Sequence, residues 1–155
     1  MHLADILSVQ CINPRMAAKD KASAIAEMVD MVDAAGKLLD RDQMLAATME
    51  REATRTTGIG SGLAIPHGKC AAARELVMAI GRPAEPLEFG SIDGKPVQII
   101  IFLASPPDKT GPHIQALARI SRLMTDPLFR HALADARTAD EIYQLIARSD
   151  HDVER

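Results

Sequence analysis

The segment that most restricts the fold is Val97-Gln98-Ile99-Ile100-Ile101-Phe102-Leu103, an almost unbroken apolar run. A strand with one wet face alternates apolar and polar residues, whereas a run like this marks a strand covered on both faces. It cannot be a membrane helix, because even the apolar stretch Ile99 to Ala104 is far short of the roughly 20 residues a span needs. A strand of this kind requires helices above and below it. The rest of the chain supplies their signatures.

From Lys21 to Ala35 the apolar residues Ile25, Met28, Val29 and Val32 recur at helical spacing, and Gly36 ends the pattern. Asp40 is placed to cap a second helix with Met44, Leu45, Thr48 and Met49 on its inner stripe. Near its end stand Arg51 and Glu52, beside a glycine-rich loop. Pro112 sits where a third helix should start, since proline's missing N–H is no loss there, and Ile114, Leu117, Ile120 and Met124 should face inward. A helix over Pro127 to Ala136 should follow, and Thr138-Ala139-Asp140-Glu141 reads as a capping box opening the last one through Ile146. The polar tail from Ser149 should fray.

Further strand signals lie at Val9 to Ile12, closed by Asn13-Pro14, at Leu63 to Ile65 and at Leu76 to Ile80, with Asp93-Gly94 as a turn. Helices and strands alternate without repeats or a linker. The expectation is a single α/β domain over residues 1–155, with a mixed central β-sheet flanked by helices on both faces.

Composition removes several classes of function. Aromatic residues are 3% of the chain and tryptophan is absent, so stacking platforms for single-stranded nucleic acid are missing. A formal net charge of -3 offers no basic footprint for duplex DNA or an anionic membrane. The two cysteines, Cys11 and Cys70, build neither a disulfide framework nor a four-ligand zinc site. With no secretory signature at the start, they suggest a reducing, cytoplasmic setting.

Chemistry concentrates in Thr56-Thr57-Gly58-Ile59-Gly60-Ser61-Gly62-Leu63-Ala64-Ile65-Pro66-His67-Gly68. His67 stands between a rigid Pro66 and a permissive Gly68, and a tethered neutral imidazole keeps one nitrogen free to attack. His113, in the first turn of a helix, would meet free N–H groups and the positive end of the macrodipole, which welcome an anion and keep an imidazole neutral. Arg51 adds a permanent planar cation suited to phosphate oxygens. Brought together, the three would fit a phosphoryl group carried by His67. Each also has a plainer reading: a hydrogen-bonded structural histidine, a solvated helix start, and an Arg51–Glu52 surface pair.

Competing motifs fit poorly. The glycines Gly58, Gly60 and Gly62 match neither G-x-G-x-x-G nor G-x-S-x-G, and Gly68-Lys69-Cys70 lacks the hydroxyl residue of a P-loop. His67, Cys70 and His113 lack metal-ligand spacing, so no metal and no cofactor is expected.

At these residues the chain resembles the enzyme IIA components of the phosphoenolpyruvate sugar phosphotransferase system, in the fructose, mannitol and nitrogen-regulatory branch. The likeness rests on Arg51-Glu52, Thr57-Gly58-Ile59-Gly60, Ala64-Ile65-Pro66-His67-Gly68, Ile92-Asp93-Gly94-Lys95-Pro96-Val97, His113 and its helix, and Ala139 to Ile146. It spans nearly the whole chain. The resemblance implies that a histidine phosphocarrier protein donates a phosphoryl group to His67 at Nε2, and that the group passes to a cysteine of a IIB partner. It implies that His113 and Arg51 support the phosphoryl group, with Thr57 supplying a hydroxyl where the family often has serine. Pro112 before His113 is a departure. Two roles are open, sugar uptake through IIB and phosphorylation-dependent binding of regulated target proteins; the likeness to standalone nitrogen-regulatory members favours the second.

Overall fold

The computed structural model describes residues 1–153. After a short 3₁₀ turn at Leu3–Asp5, the chain runs β1 (Leu7–Met16), α1 (Lys21–Ala34), α2 (Arg41–Thr54), β2 (Gly58–Gly60), β3 (Leu63–Ala64), β4 (His67–Lys69), β5 (Val77–Pro83), β6 (Ile99–Ser105), α3 (Thr110–Met124), α4 (Pro127–Asp135) and α5 (Ala139–Val153). The six strands form one sheet in the order β1-β5-β6-β3-β2, with β4 also paired to β6. It is mixed: β1 lies parallel to β5, β5 antiparallel to β6, and β3 and β4 both parallel to β6.

Side-chain alternation along β6 divides the interior in two. Ile100, Phe102 and Ala104 join Val77 and Ala79 of β5 beneath α1 and α2, whose Ile25, Met28, Val29 and Met44 complete that layer. Ile99, Ile101 and Leu103 point the other way with Met78 and Ile80, against Ile120, Phe129, Ile142 and Ile146 of α3 to α5. The central strand is therefore covered on both faces, as its apolar run requires. Helix starts follow the sequence too. Asp20, Asp40 and Asp126 accept from the backbone N–H groups of Ser23, Gln43 and Leu128, and Thr138 Oγ1 accepts from Glu141. Among the described residues no helix is long and apolar enough to cross a membrane.

Four expectations change. The first strand extends well past Ile12 and runs through Asn13-Pro14; β1 is an edge strand, where a residue without an N–H is tolerated. Val97 is outside β6, because it exchanges both backbone hydrogen bonds with Leu87 at 2.7 and 2.9 Å. Helix α3 starts at Thr110, before Pro112, and its buried face is His113, Ala116, Ile120, Leu123 and Met124, leaving Ile114 60% exposed. A polar residue, His113, occupies the first position of the inner stripe, so apolar spacing alone misreads that turn, while Ile120 and Met124 are buried as expected.

The fourth concerns the tail from Ser149. Its last residues, Glu154 and Arg155, lie outside the described ones, but residues 149–153 continue α5. Asp150 is fully buried, accepting from the Leu3 N–H at 2.7 Å and from Arg119 Nη1 at 2.8 Å. This carboxylate ties the first turn of the chain to α3 and α5. Breaking a buried charged contact costs about 3 kcal/mol. Asp150→Ala should lower the urea midpoint accordingly, and a loss below about 1 kcal/mol would reduce the contact to the surface-pair class.

Candidate functional site

Strands β3 and β4 lie in one continuous register on β6: Leu63 and Ala64 pair with Ile99 and Ile100, then His67, Gly68 and Lys69 with Leu103, Ala104 and Ser105. Pro66 divides them, because it has no N–H to give a ladder. Here the backbone serves the side chain. His67 Nδ1 lies 3.0 Å from the Ile65 carbonyl oxygen, and since a carbonyl only accepts, Nδ1 carries the proton. Nε2 is then the nitrogen with a free lone pair.

The segment that holds Ile65 is itself held. The Ile65 N–H donates to the Thr57 carbonyl at 3.0 Å. Thr57 in turn gives its N–H at 2.8 Å and its hydroxyl to the two oxygens of Glu52. Glu52 is only 5% exposed and pairs with Lys21 Nζ at 2.8 Å. Burial pushes its carboxyl up, but the Lys21 ammonium and the two Thr57 hydrogen bonds outweigh that and hold it below the usual range. Arg51 and Glu52 are therefore not a surface pair; they point to different tasks.

Gly68 has a role other than conformational freedom. A Cβ there would lie 2.5 Å from Thr48 Oγ1 and 2.7 Å from Met44 Sδ, so its bare Cα lets α2 pack directly on β4. That close approach brings Arg51, one turn beyond Thr48, beside His67. Alternation along β4 puts His67 and Lys69 on one side, toward the first turn of α3. A cleft of about 550 Å³ results, lined by Arg51, Thr54, His67, Lys69, Thr110 and His113, with the acid Glu50 and the apolar rim Ala47, Ile114 and Leu117.

The two imidazoles meet edge to face, with ring centroids 5.2 Å apart and planes at 67°. His113 is 7% exposed, and its Nδ1 is buried without a hydrogen-bond partner among the described residues. An orphaned ring nitrogen costs about 1–3 kcal/mol. Burial lowers the His113 pKa to about 4, helped by His67 and Lys69. Burial also lowers that of His67; the Ile65 hydrogen bond opposes this, Arg51 adds to it, and Glu52 opposes it. Both rings are neutral near pH 7.

The unfolded chain takes up a proton at each histidine near pH 6.5, while folded His113 resists until about pH 4. Stability should therefore fall as pH drops through that window and stay level above it. His113 alone would contribute roughly 3 kcal/mol to the fall. Urea midpoints from pH 8 to 4 should show it, and a His113→Gln variant should lose much of the slope.

Arg51, His67 and His113 line one cleft, a convergence that residue spacing alone left open. Arg51 Nη1 is steadied by the Arg55 carbonyl at 2.9 Å. Thr57 is placed elsewhere, with its hydroxyl turned into the buried Glu52 carboxylate. Cys70 packs against the α1–α2 layer, away from the two histidines. Four polar cleft residues escaped the sequence reading: Glu50, Thr54, Lys69, which donates to Thr110 Oγ1 at 2.8 Å, and Thr110 itself. The signal for Lys69 was its spacing, two residues past His67 on a strand.

The family described as phosphoenolpyruvate-dependent sugar phosphotransferase system, EIIA 2, matches residues 5–149. The fructose-specific EIIABC component of Bacillus subtilis is 34% identical over 97% of this chain, although the chain spans only 24% of that longer protein. A nitrogen regulatory protein from Bradyrhizobium diazoefficiens is 31% identical over 95% of both chains. The crystal structure of nitrogen regulatory protein IIA-Ntr from Neisseria meningitidis superposes with a TM-score of 0.87 at 28% identity, covering 93% of this chain and 98% of that one. The chain therefore belongs to the EIIA type 2 family of the phosphoenolpyruvate-dependent sugar phosphotransferase system.

Proposed function

We propose that this protein is a cytoplasmic phosphoryl carrier that accepts its group on Nε2 of His67 from a histidine phosphocarrier protein, and that its role is regulatory, of the nitrogen-related kind. The observation that carries the reading is the Nδ1–H bond to Ile65, which leaves Nε2 as the nucleophile beside Arg51, Lys69 and His113. The Nε2 lone pair forms the new N–P bond as the donor's N–P bond breaks; the donor ring, protonated on its other nitrogen, leaves as neutral imidazole, and His67 keeps its Nδ1 proton as a phosphoimidazolium. Such transfers pass through a loose state, so the protein mainly aligns the partners and steadies charge on three oxygens. Arg51 and Lys69 supply fixed charge, and His113, whose ring meets that of His67 edge to face, stands beside the new anion. Thr57 contributes through the backbone that holds Ile65.

The regulatory role is supported by nitrogen regulatory relatives that match along nearly their whole length. The fructose-specific relative favours a second reading, in which the group moves on to a IIB cysteine and serves sugar uptake. Incubation with phosphoenolpyruvate and the general phosphotransferase proteins should give an acid-labile, base-stable phosphate on His67. No label, or label elsewhere, would overturn the carrier reading. A target protein retained by only one phosphoform supports regulation; transfer to a sugar-specific IIB protein supports uptake.

A further inference from the structure

The opposite end of the sheet carries a second basic cleft. Ile99, which lines it, lies about 13 Å back along β6 from Leu103, the partner of His67. The cleft encloses about 500 Å³ and gathers Arg15 from β1, Arg82 from β5 and Arg137 from the α4–α5 turn. A smaller hollow of about 270 Å³ shares Gln98 and Ile99 with it and adds Arg130 and His131. Among the described residues no carboxylate lines either space. Glu141 stands close by, accepting the Arg137 backbone N–H at 2.7 Å, and is one acid against three guanidinium groups.

Arg82 is fixed before any ligand arrives. Its Nε donates to the Pro14 carbonyl at 3.1 Å and its Nη1 to the carbonyls of Leu133 and Ala134 at 2.9 and 3.0 Å. This closes the end of α4 and accounts for Arg82. It does not account for Arg15 and Arg137, whose guanidinium groups have no ion pair or hydrogen bond among the described residues. Arg15 and Arg137 are exposed, so water screens their mutual repulsion, and their unengaged forks leave the concavity with a local excess of positive charge that attracts an anion.

We propose that this cleft binds a small metabolite bearing two or more phosphate groups. Guanidinium forks match phosphate oxygens in pairs, the volume suits a small molecule, and Pro14, Pro83 and Ile99 give the ligand's body an apolar floor. The site is separate from His67 and stands whether or not the carrier reading holds. Inorganic pyrophosphate, then ADP, titrated into ¹⁵N-labelled protein should give saturable shifts at Arg82 Nε and residues 134–137. The double variant Arg15→Gln/Arg137→Gln should bind at least tenfold more weakly, while its spectrum elsewhere and its phosphorylation on His67 stay unchanged. Shifts confined to the His67 cleft, shifts that never saturate, or equal affinity in the double variant would overturn the site. Citrate binding as tightly as pyrophosphate would overturn the phosphate class.

Discussion

His67→Ala should carry no phosphate at all, whereas His113→Ala should still be phosphorylated but on the order of 100-fold more slowly. The difference follows from what each ring touches. His67 has its Nδ1 proton committed to Ile65 and its Nε2 free, so no neighbour can replace it as nucleophile. His113 Nδ1 has no partner among the described residues, and the ring stays neutral because burial holds its pKa at about 4. A phosphoryl group arriving beside it supplies both an acceptor and negative charge, and the ring answers with a hydrogen bond that the unphosphorylated protein cannot make. Removing it takes away stabilisation of charge in transfer but leaves the docking rim of Ala47, Ile114 and Leu117 in place. Affinity for the phosphocarrier protein should therefore change less than threefold, about 0.6 kcal/mol. Rapid-quench phosphorylation and a binding isotherm on each variant would check the pair. Label retained by His67→Ala would remove that residue from the reaction, and a wild-type rate in His113→Ala would leave its orphaned nitrogen without a purpose.

What the sequence disclosed was what depends on local pattern. The apolar run at Ile99 to Leu103, the helical stripe from Ile25 to Val32 and the Asp40 cap each have one low-energy solution, so the layers and most elements were legible. What escaped depended on tertiary partners. Asp150 reads as part of a polar tail until the Leu3 N–H and Arg119 are beside it. Ile114 reads as core because its neighbour His113 is polar, although burial went to the histidine. Gly68 reads as a flexible joint, yet its requirement is space for Met44 and Thr48 of α2. The same holds within the site. Arg51, His67 and His113 could be singled out as candidates by residue type and family likeness, though not their convergence in one cleft, and Thr57 was assigned a supporting hydroxyl because its side chain could supply one. The buried Glu52 claims that hydroxyl first.

Glu52→Gln should therefore impair a reaction it never touches. The carboxylate holds Thr57, Thr57 holds Ile65, and Ile65 fixes the proton on His67 Nδ1. Glutamine keeps the shape but has one accepting oxygen for two Thr57 donors, turns an NH₂ toward one of them and leaves Lys21 without its 2.8 Å counter-charge. Breaking such a charged, buried contact costs about 3 kcal/mol. Wild-type stability from Glu52 should be present above about pH 4.3 and fade as pH falls through its lowered pKa, a slope the variant should lack. At a temperature where the variant is fully folded, the looser His67 ring should still slow phosphorylation roughly tenfold, since positioning errors near 1 Å carry costs of this order. The Nδ1–H resonance of His67 should broaden or move upfield with it. Thr57→Ser keeps both donors and should behave like wild type, while Thr57→Val keeps only the N–H and should fall between. If Thr57→Val slowed transfer while the Nδ1–H resonance and the stability stayed at wild-type values, the hydroxyl would be acting on the phosphoryl group directly and the relay through Glu52 would fail.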